Sequence, residues 1–165
     1  MLRQLAHRRR LEGDLEGGQR AVDEALEIVN EEGTQEAKVL GQYILASHLD
    51  EAERDYAGAL REFRNGLSAA HSRGSEWETT FGLTGVARML AHTGENQRAA
   101  LLLGAAAAMQ EKVGMLPHGP RAEPQRRVTE VLSNALGEGE LQRLRTEGRA
   151  MSLHEAVALA TGAAN

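Results

Sequence analysis

A repeat of about forty residues places the strongest constraint on what this chain can fold into. Three stretches, each opening an Ala/Leu-rich segment, begin 41 and 40 residues apart, at Gly13, Arg54 and Gly94. Three glycines suited to ending helices follow at the same two separations, at Gly33, Gly74 and Gly114. Small, large and small residues recur in step: Gly18, Val22 and Ala25; Ala59, Phe63 and Gly66; Ala99, Leu103 and Ala106. Agreement among these markers predicts three similar structural units.

Composition makes the units helical, because 26 Ala and 22 Leu stand against only 8 Val and 2 Ile. We therefore predict an all-α chain in which each unit is a pair of antiparallel helices. The predicted first helices are roughly 1–12, 34–51 and 75–93, and the predicted second helices are roughly 15–31, 55–73 and 95–113. One pair cannot bury its apolar stripe alone, so stacked pairs form an α-solenoid.

The tail breaks the period. We divide the chain into residues 1–114 with three helix pairs, a Pro-containing loop at 115–124, and C-terminal capping helices within 125–165. The capping helices are predicted near 124–136, 138–148 and 153–161. Capping boxes are expected for Ser75 with Glu78 and for Ser152 with Glu155. Trp77 is expected to be a staple or core residue at a helix start.

The repeat resembles the tetratricopeptide repeat, which has a bulky residue before Leu-Gly in its first helix and spaced Ala, Phe and Ala in its second. First-helix matches are Leu2, Leu5 and Ala6; Tyr43, Ala46 and Ser47; Leu83, Val86 and Ala87. The second-helix match is best at Ala59, Phe63 and Gly66. The chain departs from the pattern in its period near 40 instead of 34, in lacking a Pro that ends each unit, and in Asp50, which stands where a bulky residue is usual.

The second half of the chain carries a more specific resemblance. The run from Ala99 to Gly114, the Pro-bearing loop, and the stretch from Glu147 to Ala156 resemble the C-terminal repeats of large bacterial signal-transduction ATPases and LuxR-type transcriptional regulators. This resemblance implies a fragment of a longer regulator that receives a signal or partner, although a stand-alone repeat protein fits the residues equally. The absence of Cys favours a cytoplasmic location.

The sequence offers no catalytic constellation. It has no phosphate-binding loop, no Gly-x-Ser-x-Gly elbow and no His pair at helical ligand spacing, so we expect no enzyme, no metal and no cofactor. A formal charge of -5 argues against nucleic acid, and the longest apolar run, Ala99 to Met109, is too short for a membrane span.

In tetratricopeptide arrays, residues five, nine and twelve of each unit commonly face a concave groove. Carried over by this resemblance, they are Arg3, His7, Arg10, Ile44, His48, Glu51, Thr84, Arg88 and Ala91. The ninth positions form a cationic or protonatable ladder of His7, His48 and Arg88, which would favour an acidic peptide or anionic ligand. We also expect that replacing His48 and Arg88 with Ala leaves the melting temperature nearly unchanged.

We therefore predict a non-catalytic protein or peptide interaction module, or a ligand-sensing module, whose partner is a protein, a peptide or another domain of a parent chain. Two alternatives stay open. One is a sensor that encloses an anionic metabolite in an apolar pocket. The other is a structural dimerisation element that forms a homodimer through an outer apolar patch, for which Ala105–Ala108 is the place to look.

Overall fold

The computed structural model describes residues 13–114 and 123–162, and within these ranges every regular element is a helix. The helices are α1 (Leu15–Glu32), α2 (Gln35–His48), α3 (Tyr56–Ser72), α4 (Glu76–His92), α5 (Asn96–Lys112), α6 (Glu123–Leu136), α7 (Glu138–Arg149) and α8 (Leu153–Thr161). A short π-helical turn, Leu49–Glu53, continues α2 without a break. The predicted all-α class is confirmed, whereas the predicted first helix at 1–12 lies outside the described residues.

Two of the three sets of repeat markers lie at positions where the backbone is left-handed. Gly33, Gly74 and Gly114 have φ of 65°, 73° and 70° after α1, α3 and α5. The second set has φ of 83° at Gly13, 56° at Arg54 and 87° at Gly94. Glycine adopts this conformation without steric cost, but arginine does not. Left-handed residues thus recur at the separations of 41 and 40 residues that the sequence period gives.

Two of the helix caps that the sequence predicts are present, and one is not. Thr34 accepts a hydrogen bond from the Ala37 backbone N–H at 3.1 Å, and Ser152 forms the expected capping box with Glu155. The capping box at Ser75 is wrong, because the Ser75 side chain makes no capping hydrogen bond. The Glu78 carboxylate instead pairs with Arg73 at 3.2 Å. An arginine from the preceding turn therefore takes the carboxylate that the motif would have used.

Packing follows chain order through the first five helices, since α1 contacts α2, α2 contacts α3, α3 contacts α4, and α4 contacts α5. Helix α7 then packs closely on α5, and α6 lies against α4, α5 and α7. Helix α8 contacts α3, α4 and α5. Its last carbonyls are bound by arginines from two of these helices: Arg64 Nε donates to Ala160 O at 2.9 Å, and Arg98 Nη2 donates to Leu159 O at 2.6 Å. These bonds satisfy helix-end acceptors that would otherwise lack partners.

Glycines let helices approach closely where the few aromatic rings are buried. A Cβ on Gly66 would lie 2.5 Å from the Tyr43 ring, a Cβ on Gly82 would overlap the Tyr43 hydroxyl, and one on Gly85 would overlap the Phe63 ring. Each ring thus occupies space that a side chain would fill on the facing helix. Within the described residues, no helix is long and apolar enough to cross a membrane.

Candidate functional site

One face of α4 carries five side chains that remain partly or largely open to solvent, and we call it the α4 surface: Trp77, Phe81, Thr84, Arg88 and His92. They follow one another at spacings of three or four residues, which places them on one side of an α-helix. The intervening residues Leu83, Val86 and Leu90 are fully buried and fix the orientation of the helix. The α4 surface is about 22 Å long at 1.5 Å per residue.

The amino end of the α4 surface is aromatic. The Trp77 and Phe81 rings stack with centroids 6.2 Å apart and an interplanar angle of 10°. Phe81 in turn lies 5.0 Å from the Tyr43 ring, which is buried. Trp77 is 56% exposed, so the expectation that it is a staple or core residue is wrong. Stacking on Phe81 holds the indole in place while much of its surface faces solvent.

A network of charges surrounds this aromatic end. Arg73 binds Glu36 at 2.7 Å and Glu78 at 3.2 Å, joining the start of α2 to the start of α4. Lys112 at the end of α5 binds Glu76 at 2.8 Å. Within the network, three carboxylates share two cations.

Tyr43 is held beneath this network. Its hydroxyl donates to the Glu78 carbonyl oxygen at 2.8 Å. Burial, together with the Glu78 carboxylate, raises the pKa of Tyr43 well above its ordinary value. The phenol therefore stays neutral and serves as a fixed donor between α2 and α4.

The carboxyl half of the α4 surface is polar. Arg88 Nη2 donates to Asp50 Oδ2 at 2.5 Å, and its guanidinium lies 5.8 Å from the centroid of the Phe63 ring. The Asp50 side chain is 11% exposed and the Arg88 side chain 18% exposed, so this ion pair is largely shielded from water. Because the pair is shielded, it contributes to the stability of the fold: removing either partner would leave the other charge poorly solvated.

His92 closes the α4 surface at its carboxyl end, where its ring stacks on Tyr56 with centroids 4.4 Å apart and an interplanar angle of 10°. Burial is the largest influence on His92 and lowers its pKa below the usual value. The nearby Asp50 carboxylate raises this pKa, while Arg88 and Arg54 lower it. The imidazole is therefore biased toward its neutral form.

The structure brings together only part of the predicted groove. Arg3, His7 and Arg10 lie outside the described residues. Thr84 and Arg88 lie on the α4 surface, where Gln110 donates to the Thr84 hydroxyl at 3.1 Å. The remaining predicted residues are placed as follows: Ile44 and Ala91 are each 4% exposed, His48 is 6% exposed, and Glu51 is half-buried in the π-helical turn.

His48 is tied to its own helix end. Its Nε2 lies 3.2 Å from Glu53 Oε1, and its Nδ1 is buried without a hydrogen-bond partner in the described structure. Combined with the Arg88–Asp50 pair, this means that the two described members of the predicted cationic ladder already have acidic partners within the chain.

Sequence reasoning missed Asp50 as the partner of Arg88, although a signal was present. The spacing from Gly33 to Arg54 is 21 residues, whereas the equivalent spacing from Gly74 to Gly94 is 20. A π-helical turn accommodates one extra residue within a helix. The turn at Leu49–Glu53 lies inside the longer spacing, where Asp50 points inward and meets Arg88.

Within residues 13–114 and 123–162, no three His, Asp or Glu side chains lie close enough together to hold a metal ion. No protein-family model, no curated protein and no solved structure matches this chain at a significant level.

Proposed function

We propose that this chain is a non-catalytic interaction module that binds a segment of another protein along the α4 surface. We further propose that its helix pairs form a tetratricopeptide-like α-solenoid with a helical cap, serving as a cytoplasmic part of a bacterial transcriptional regulator. The observation that carries the binding role is the exposed Trp77, held against Phe81 at the amino end of a partly exposed row of side chains.

The solenoid is supported by two independent features of the described residues. Left-handed positions recur at the sequence period, and successive helices from α1 to α5 contact one another in chain order. Stacked helical hairpins generate an extended surface because each unit contacts only its neighbours. In such an array α2 and α4 are equivalent first helices, and the α4 surface would lie on the face that they share.

Binding at the α4 surface is supported by the chemistry of its exposed end. Tryptophan is enriched among the residues that carry most of the binding energy at protein interfaces, because it buries a large area with few rotatable bonds. The stacked Phe81 restricts Trp77 further, so little side-chain entropy is lost when a partner covers it. About 22 Å of helix matches a docked segment of roughly seven extended residues.

The structure favours this proposal over the two alternatives. A dimerisation patch at Ala105–Ala108 has little surface to offer, since Ala105 and Ala106 are fully buried and the next two alanines are half-buried. A sensor for an anionic metabolite needs unpaired cations, but Arg88 is bound to Asp50 and His48 lies beside Glu53.

The proposal is tested by selecting random twelve-residue peptides on the purified chain. We expect selected peptides that bind the wild type and lose at least tenfold in affinity for Trp77→Ala, since a central tryptophan contributes about 2 kcal/mol or more. Ile28→Ala on α1 is the matched control, because Ile28 is also an exposed apolar residue, at 44%. Peptides that bind Trp77→Ala as tightly as the wild type would refute the assignment. Circular dichroism verifies that both variants stay folded, and Trp77→Gln serves as a second variant.

A further inference from the structure

The charge exposed around Trp77 is negative, which reverses the charge that the sequence predicted for the groove. The Glu36 side chain is 68% exposed and the Glu76 side chain is 50% exposed, whereas Arg73, which pairs with Glu36 and Glu78, is only 24% exposed. Glu76 and Glu78 are the chain neighbours of Trp77 in α4, and Arg73 joins Glu36 to Glu78, so the three carboxylates lie at the same end of α4 as the indole. We call Glu36, Glu76, Glu78 and Trp77 the acidic aromatic patch.

Two cations, Arg73 and Lys112, pair with the carboxylates of this patch. Arg73 is bound by two carboxylates, Glu36 and Glu78, and therefore cannot neutralise both. Lys112 offsets Glu76 through a pair in which both side chains are at least half exposed, where pairing is weak and readily exchanged. Counted over the described residues of this network, three carboxylates against two cations leave a net negative charge at the end of α4 that carries the exposed indole. The full sequence carries a formal charge of -5.

An indole face beside carboxylates is the environment that a lysine or arginine side chain prefers, because the ring quadrupole and the carboxylates attract the same cation. We propose that the occupant of the α4 surface is a basic protein segment, with a lysine or arginine seated over Trp77 between Glu36 and Glu76 and an apolar residue toward Phe81. This inference rests on the proposed function and specifies the partner's chemistry.

The same peptide selection tests it, because the selected sequences reveal their own charge. We expect them to be enriched in Lys and Arg, and to bind more weakly as salt is raised, since exposed charge pairs are screened. Trp77 is the single tryptophan, so its fluorescence reports binding of synthetic peptides that lack Trp. Neutralising the patch with Glu36→Gln and Glu76→Gln together should weaken binding about tenfold.

The matched control neutralises Glu140 and Glu147 to Gln on α7, where both pair with Arg143 and α7 packs on α5 and α6. This control should leave peptide affinity unchanged. Selected peptides that are acidic yet still depend on Trp77 would overturn the basic partner while leaving the interaction role standing. Peptides with no dependence on Trp77, or the absence of any enriched sequence, would overturn both.

Discussion

A methyl group added at Gly104 should separate two helices that now touch through their backbones. A Cβ on Gly104 would overlap the Arg145 carbonyl oxygen and lie 2.9 Å from its carbonyl carbon. A Cβ on Gly148 would overlap the Leu101 carbonyl oxygen in the same way, so α5 and α7 meet at a reciprocal pair of glycines. Ordinary contacts are 3.4–4 Å, and a helical carbonyl cannot rotate aside as a side chain can.

Two opposing effects set the size of the change in Gly104→Ala. Alanine is a better helix former than glycine by about 1 kcal/mol, and this gain favours the variant. Overpacking costs about 1–3 kcal/mol where side chains can adjust, and more where backbone must move. We expect a net loss of about 2 kcal/mol or more, which lowers the melting temperature by about 4–8 °C in a chain of this size.

Gly139→Ala is the matched control, because a Cβ there meets nothing within 4 Å and the residue lies in α7 itself. This control should raise the melting temperature, by up to about 2–4 °C, because only the helix-propensity gain applies. Thermal unfolding followed by far-ultraviolet circular dichroism measures both variants. If the two substitutions shift the melting temperature in the same direction by similar amounts, α5 and α7 do not approach as closely as described.

Three further predictions concern the α4 surface and its support. Tyr43→Phe should lower the free energy of unfolding, measured in urea, by about 1 kcal/mol, because it removes the hydrogen bond to the Glu78 carbonyl oxygen. Gly82→Ala should be less destabilising in the Tyr43→Phe background than alone, because the hydroxyl that faces the new Cβ is gone. Equal losses in the two backgrounds would contradict this. Arg88→Ala should lower the free energy of unfolding by about 2–4 kcal/mol, because it leaves Asp50 without its cation. The double variant Arg88→Met with Asp50→Asn should lose less. If Arg88→Ala is less destabilising than the double variant, the pair is not shielded from water as described. Burial lowers the pKa of His92 in the folded state, so protonation of His92 opposes folding. The melting temperature should therefore fall as pH drops through about 6.5, and should fall less in His92→Gln. Parallel pH profiles for the two proteins would contradict this role of His92.

Helix positions could be predicted because their signals are local. Glycines at the left-handed turns, Thr34 before α2 and the capping box at Ser152 each act within a few residues. For the helices that the structure describes, predicted and observed ends accordingly agree to within one or two residues, except where α2 passes into the π-helical turn. Local signals failed at Ser75, where a distant competitor, Arg73 with its second partner Glu36, decides which bonds Glu78 makes.

The candidate site was less predictable because its key contacts cross between helix pairs. Arg88 and Asp50 are 38 residues apart, and nothing near either residue indicates that they meet. Carrying the groove over by register placed Thr84 and Arg88 on a partly exposed face but also selected Ile44 and Ala91, which the core buries. Which side chains form ion pairs with one another decides the sign of the charge that stays exposed in the patch. For this reason we no longer expect replacing both His48 and Arg88 with Ala to leave the melting temperature nearly unchanged, since the loss of Arg88 alone is predicted to destabilise the fold.

The fit of Tyr43 against two glycines has an evolutionary consequence. Its ring and hydroxyl fill the space that side chains at Gly66 and Gly82 would need, so those three positions form one steric unit spread over α2, α3 and α4. In any homologous chain, a shorter residue at position 43 should be accompanied by a larger residue at position 66, whereas a Cβ at position 82 would also lie 3.2 Å from the Leu67 Cα. A Tyr retained there should keep both glycines, so covariation among these sites would identify distant members of this fold where overall identity no longer does.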